Sequence, residues 1–137
     1  MSISIEDFKK VIEGEPSLTR MGVNFLQSIK GFRNITLTEA KEQLKRERES
    51  FLLHHFDEFK ICCDWLDKFK KVKTPQYSSY YLKHVVEKLS GENISNGGLI
   101  AAALHLGLPT KPYPGSPNIN IAISKKCPYL KKVGHVA

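Results

Sequence analysis

Residues 92–109 read ENISNGGLIAAALHLGLP, and no other stretch says as much about the fold. Ser95 is placed to cap a helix, Gly97 and Gly98 fall in its first turn, and no lysine, arginine or carboxylate follows until the helix ends. Leu99, Ile100, Ala103 and Leu104 form one face, and Ala101 and Ala102 lie on the other. A helix that is apolar all round belongs in an interior. Gly107 then supplies a left-handed C-cap, with Leu108 and Pro109 behind it. The glycine pair also carries a functional expectation. The first amides of a helix have no internal partner and lie at the positive end of its dipole. With no side chain in the way, the Gly97 and Gly98 amides could receive a phosphate or carboxylate. The competing explanation is close backbone packing, with Ser95 capping the helix by itself. The glycine spacing and the lack of a preceding strand exclude a Walker or dinucleotide motif.

Working outward, TPQYSSYYLKHVVEKLSG (residues 74–91) predicts a helix capped by Ser78 or Ser79 and stopped at Gly91. It buries Leu82, Val85, Val86 and Leu89 and turns Tyr80, Lys83 and His84 outward. Four prolines in residues 109–117 exclude helix and central strand and predict an ordered, extended loop. In NINIAIS, residues 118–124, alternation puts Ile119, Ile121 and Ile123 on one face of a strand. YLKKV, 129–133, is the expected hairpin partner.

Toward the amino terminus, Ser4 and Asp7 form a capping box for a helix over Ile5–Glu13. A second helix is expected over Leu18–Ile29, ending near Gly31. Thr36 and Glu39 form another capping box. Steps of three and four then run from Leu37 to Lys70, predicting a helix over 37–72. Its stripe lapses across KRERES, 45–50, where the helix either projects into solvent or breaks in two.

The expected architecture is therefore mainly α. One domain over 1–137 holds a bundle of about five helices with a small C-terminal β-hairpin, with α+β as the alternative description. Residues 1–73 form an acidic-to-neutral helical half and residues 74–137 a basic helix–helix–hairpin half. Charge divides sharply: residues 1–67 hold 10 Lys/Arg and 12 Asp/Glu, residues 68–137 hold 11 Lys and 2 Glu. Excess charge this one-sided points to an anionic partner, although solubility alone also favours it. No apolar run approaches the ~18 residues of a membrane span. The first residues lack a signal-peptide pattern, and three cysteines make a poor disulfide framework, so a cytoplasmic protein without membrane association is expected.

Four groups of residues compete for a function. Lysines 125, 126, 131 and 132 beside a hairpin, after two short helices, suggest a winged helix-turn-helix. The would-be recognition helix argues against base reading, because it offers only His105 to a groove. The run DKFKKVK, 67–73, leads to Tyr77, Tyr80 and Tyr81, the ingredients of a single-strand platform. The plainer explanation places Phe69 and some of the tyrosines in the core and the lysines at a helix end. His54, Glu58 and Cys62 share a helical face, but no second cluster completes a metal shell, and Phe51, Phe56, Phe59 and the cysteines read as core. No cofactor is expected. For catalysis, no nucleophile motif or opposed acid pair is present. A small enzyme or ligand-binding protein would need a deep pocket lined by His84, His105 or Cys127.

Within Tyr77–Ser124, the pieces SSYYLKH, ISNGGLIAAALHLG and SPNINIAIS resemble small uncharacterised bacterial proteins carried on mobile elements such as plasmids, phages and integron cassettes. The resemblance implies a bacterial accessory protein and transfers no functional residue.

Taken together, the sequence predicts an accessory protein, without catalysis, that binds nucleic acid or another polyanion without reading bases. Lys83, Lys111, Lys125, Lys126, Lys131 and Lys132 would supply charge, with His84 adding to it. Tyr77 and Tyr80 would stack, and Ser95, Gly97 and Gly98 would form a phosphate cradle. The alternative is a protein-interaction or homodimer module built on helix 37–72, because Phe51, Leu53, Phe56, Ile61 and Trp65 exceed what one stripe needs.

Overall fold

The computed structural model describes residues 2–30 and 34–132, less the side chains of Ser28, Lys30 and Lys132. Among them are seven helices and three short strands. The molecule is mainly α with a small β part. The helices are α1 (Ile5–Gly14), α2 (Phe25–Lys30), α3 (Leu37–His54), α4 (Phe56–Lys68), α5 (Ser79–Ser90), α6 (Asn96–His105) and α7 (Pro128–Lys132). The strands are β1 (Tyr77–Ser78), β2 (Thr110–Pro112) and β3 (Ile119–Ile121).

Helix α6 is the centre of the core, as its composition requires: every residue from Asn96 to Ala103 is buried. α4, α1 and α5 pack around it. Phe8 of α1, fully buried, lies edge-on to Phe51 and stacks on Phe59 at a centroid distance of 4.6 Å. The Ser4–Asp7 capping box opens α1, with the Ser4 amide donating to the Asp7 carboxylate at 2.8 Å. Its other end is closed by Arg48 of α3. That guanidinium donates to the carbonyls of Ile12, Glu15 and Leu18 at 2.5, 2.7 and 3.0 Å. Burial lowers its pKa, and nearby Glu15 counters the shift.

The helix expected over Leu18–Ile29 starts only at Phe25. Residues 18–24 instead form a tight turn in which Thr19 and Gly22 exchange amide hydrogen bonds of 2.9 and 3.0 Å. Gly22 has φ +120°, and Asn24 sits in the left-handed region at 56°. A left-handed backbone cannot continue a right-handed helix. The predicted end near Gly31 lies outside the described residues.

The helix expected over 37–72 is two helices. Its charged stretch, 45–50, stays helical in α3, and the break falls later, at His55 (φ −117°, ψ 15°). α3 buries only Ala40 and Phe51. That is why the apolar stripe lapses without a break.

The strand over 119–121 forms, but its partner is not 129–133. Pro128 opens α7 instead, as proline does at a first helical position, and Val133 lies outside the described residues. β3 is the middle strand of an antiparallel sheet of order β1-β3-β2, with Tyr77 and Thr110 flanking Ile121. Beyond β1 the pairing continues toward α4. The Ser124 amide donates to the Lys70 carbonyl at 2.8 Å, Lys71 bridges Ile123, and the Val72 amide donates to Ala122. The proline-rich turn between β2 and β3 is held by two asparagines. Asn24 Nδ2 donates to Tyr113 O and Ser116 O, and Asn96 Nδ2 donates to Met21 O, Pro117 O and Asn118 Oδ1. No described helix is long and apolar enough to cross a membrane.

Candidate functional site

The start of α6 is closed. Ser95 caps it as expected, its hydroxyl accepting the Gly98 amide at 3.0 Å. The Gly97 amide donates to Arg20 O at 2.9 Å, and the Ser95 amide donates to Glu58 Oε2 at 2.6 Å. A Cβ on Gly97 would collide with the Thr19 carbonyl, and one on Gly98 with the Glu58 carboxylate. The expectation of an open phosphate cradle at Ser95, Gly97 and Gly98 is therefore corrected. The anion at this dipole end is the protein's own Glu58, itself paired with His55. The glycines serve the close approach of loop 19–20 and of α4.

The expected cationic residues fall into three separate places. Lys83 and His84 belong to a local group on α5. Lys83 Nζ lies 3.4 Å from Glu87 Oε1 and donates to Ile94 O at 3.3 Å, while His84 Nδ1 meets Glu87 Oε1 at 2.9 Å. Tyr80, 50% exposed, stands edge-on to His84 and beneath Lys83. Glu87 thus largely neutralises this cluster. Lys111 is exposed in β2, near the ring of Tyr113. Tyr77 is half-buried and stacked on Tyr81 at 5.3 Å, so its ring is less open to a ligand than the exposed ring of Tyr80.

Lys125, Lys126 and Lys131 make the third place, and here the fold joins to them the run 67–73, which the sequence links to Tyr77, Tyr80 and Tyr81 instead. Because Ser124 and Ile123 pair with Lys70 and Lys71, the exposed turn at Lys125–Lys126 lies against the exposed run from Lys68 to Lys73. The side chain of Lys132 lies outside the described residues. Among the described residues the ion pairs are Arg20–Glu47, His55–Glu58, Lys83–Glu87 and His84–Glu87. Lys70, Lys73, Lys125, Lys126 and Lys131 take part in none of them. Lys71 caps α4, its ammonium donating to Asp67 O and Phe69 O. Asp64 and Asp67, exposed on α4, are the acidic residues nearest in sequence.

Aromatic rings line the same end. Tyr129 of α7 stacks on Phe69 at 5.5 Å and meets Trp65 edge-on at 5.4 Å. Lys68 Nζ stands 4.7 Å from the Trp65 ring centre. Trp65 and Tyr129 are partly exposed, whereas Phe69 is buried. The signal that could have found this group is the unpaired alternation of NINIAIS, which needs a neighbouring extended segment. Residues 70–72, directly after a helix end, provide one.

The remaining candidates resolve as follows. His54 is exposed at the end of α3 while Cys62 is fully buried in α4, so the His54–Glu58–Cys62 face does not exist as one surface. No group of three potential metal ligands occurs among the described residues. Cys127 is fully buried. His105 borders an open cleft of about 410 Å³ between α1 and α6, together with Asp7, Lys10 and Glu15. Asp7 is already engaged by Ser4 there. The apolar excess expected on the long helix is mostly absorbed: Phe51 is in the core, Phe56, Ile61 and Trp65 pack at its edge, and Leu53 is 75% exposed.

No protein-family model matches this chain, and neither a curated protein nor a solved structure matches it.

Proposed function

We propose that this is an accessory protein that binds nucleic acid or a comparable polyanion by charge, through the surface where residues 68–73 meet residues 125–131. The pairing of Ser124 with Lys70 carries this reading. It sets two lysine runs, 54 residues apart in sequence, side by side, and no described lysine of either run is in an ion pair. Ammonium groups that lack ion pairs attract phosphates and release their counterions on binding. Asn96–Ala103 of α6 are buried, so that helix presents no base-reading face beside the surface. The contribution first expected of Lys83, His84 and the α6 glycines is not part of the proposal.

The test is a titration of labelled oligonucleotide at several salt concentrations. Affinity should fall steeply with salt, and each lysine–phosphate contact removed should lower the log–log slope by about 0.7–0.9. The double variant K125E/K126E and the variant K70E should each weaken binding and flatten the slope. Lys83→Glu, on α5 where Lys83 already pairs with Glu87, should do neither. Binding that is absent, or indifferent to salt, refutes the proposal.

A further inference from the structure

Building on the polyanion reading above, we infer that the preferred ligand is single-stranded nucleic acid, with bases seated against Trp65 and Tyr129. Phe69 and Tyr129 belong to the same two segments as the lysines, and Trp65 precedes Lys68 by three residues on α4. Phe69 lies between Lys68 and Lys70 in sequence, and Tyr129 between Lys126 and Lys131. Phe69 forms the buried backing, Tyr129 stacks on it, and Trp65 meets Tyr129 at an interplanar angle of 79°. The two outer rings keep partial exposure.

A duplex offers such a surface only phosphates, because its base faces are stacked on each other. A single strand offers phosphates and free base faces together, and rings beside lysines suit both. The position of Lys68 over Trp65 fits the same geometry. An ammonium group already uses that ring by cation–π attraction. An arriving base would replace it there and leave Lys68 free to meet the adjacent phosphate.

Trp65 is the only tryptophan of the chain, so its fluorescence reports on this surface without a label. The full chain is titrated with oligothymidylate of about twenty nucleotides, the length range of one or two stacking platforms. A duplex of equal length and heparin serve as comparisons. Saturable quenching by the single strand is expected, with affinity at least about fivefold above that for the duplex, the lower end of one base's stacking. Heparin should bind without comparable quenching. Tyr129→Ala should weaken the oligothymidylate about fivefold or more and leave heparin unchanged. Equal affinity for duplex with unchanged emission, or equal quenching by heparin, overturns the inference while the polyanion reading stands. Failure of all three probes to bind overturns both.

Discussion

The Glu58 carboxylate of α4 accepts the backbone amide of Ser95, 2.6 Å away, and so caps the helix at the centre of the core from a neighbouring element. A charged acceptor at a buried helix start is stabilised by the helix dipole as well as by the hydrogen bond. Glu58→Ala leaves the Ser95 amide without its acceptor and should cost about 1.5–3 kcal/mol. Glu58→Gln, which keeps an acceptor oxygen, should cost less. Urea unfolding of the two variants checks this, and equal losses would contradict it by showing that a neutral acceptor recovers nothing and the carboxylate's charge carries the whole effect.

Gly97 gives a prediction of opposite sign to helix propensity. In an open helix Gly→Ala gains roughly 0.5–1 kcal/mol. Here the new methyl group would meet the Thr19 carbonyl and the Arg20 backbone, atoms that cannot rotate aside. Gly97→Ala should destabilise by about 1–3 kcal/mol or more. Thermal denaturation showing a stabilised Gly97→Ala would contradict the close approach of loop 19–20.

Arg48 closes the end of α1 through three carbonyls at once. Truncation to Ala should cost roughly 2–4 kcal/mol, since several charge-assisted hydrogen bonds disappear together. Lysine keeps the charge but lacks the planar fork, so Arg48→Lys should recover less than half of that loss. Chemical denaturation of both variants measures it. Full recovery by lysine would mean that charge alone matters at this site.

Phe51 and Leu53, two positions apart, lie on nearly opposite faces of α3. Phe51 has no exposure and Leu53 has 75%. Phe51→Ala should cost about 3–5 kcal/mol. Leu53→Ser should lie within about 0.5 kcal/mol of the parent. A large effect at Leu53, or a concentration-dependent midpoint lost in that variant, would revive self-association through α3.

The thiol of Cys63 is pushed up to about 12 from an ordinary 9.0, first by burial and then by neighbouring Asp64. Cys62 is raised as well, for the same principal reason. In the unfolded chain the thiol loses its proton near 9, while the folded chain retains it. Folding stability should therefore be intact below pH 9 and decline as pH rises through the window from 9 to about 12. Cys63→Ala should flatten that decline in denaturation midpoints taken at pH 8 and pH 10. Native protein should also leave both thiols unreactive to a thiol reagent until denaturant is added.

Much of the helical content was legible because its signals are local. The Ser4–Asp7 box, the Ser95 cap and the left-handed Gly91 and Gly107 involve residues within four positions of each other. The apolar composition of 99–104 fixed α6 as the interior helix for the same reason. Charge asymmetry marked the basic half, and its lysines at 125, 126 and 131 are exposed. Where α3 ends was not legible, because helical spacing continues smoothly through His55. Nor was the early turn: Leu18, Met21 and Phe25 keep helical spacing, yet Gly22 and Asn24 adopt backbones that no helix admits.

The sequence by itself determined that this protein is mainly helical, has one all-apolar central helix and carries a lysine-rich second half. Periodicity, caps and composition act within a turn or two of chain, and they need no knowledge of neighbours. Only the tertiary structure decided which anion sits at the start of α6 and which segment accompanies the strand at 119–121. Glu58 reaches Ser95 across 37 residues, and Lys70 reaches Ser124 from farther still. Partners so remote are selected by how whole elements bury their apolar faces, and no local pattern encodes that choice.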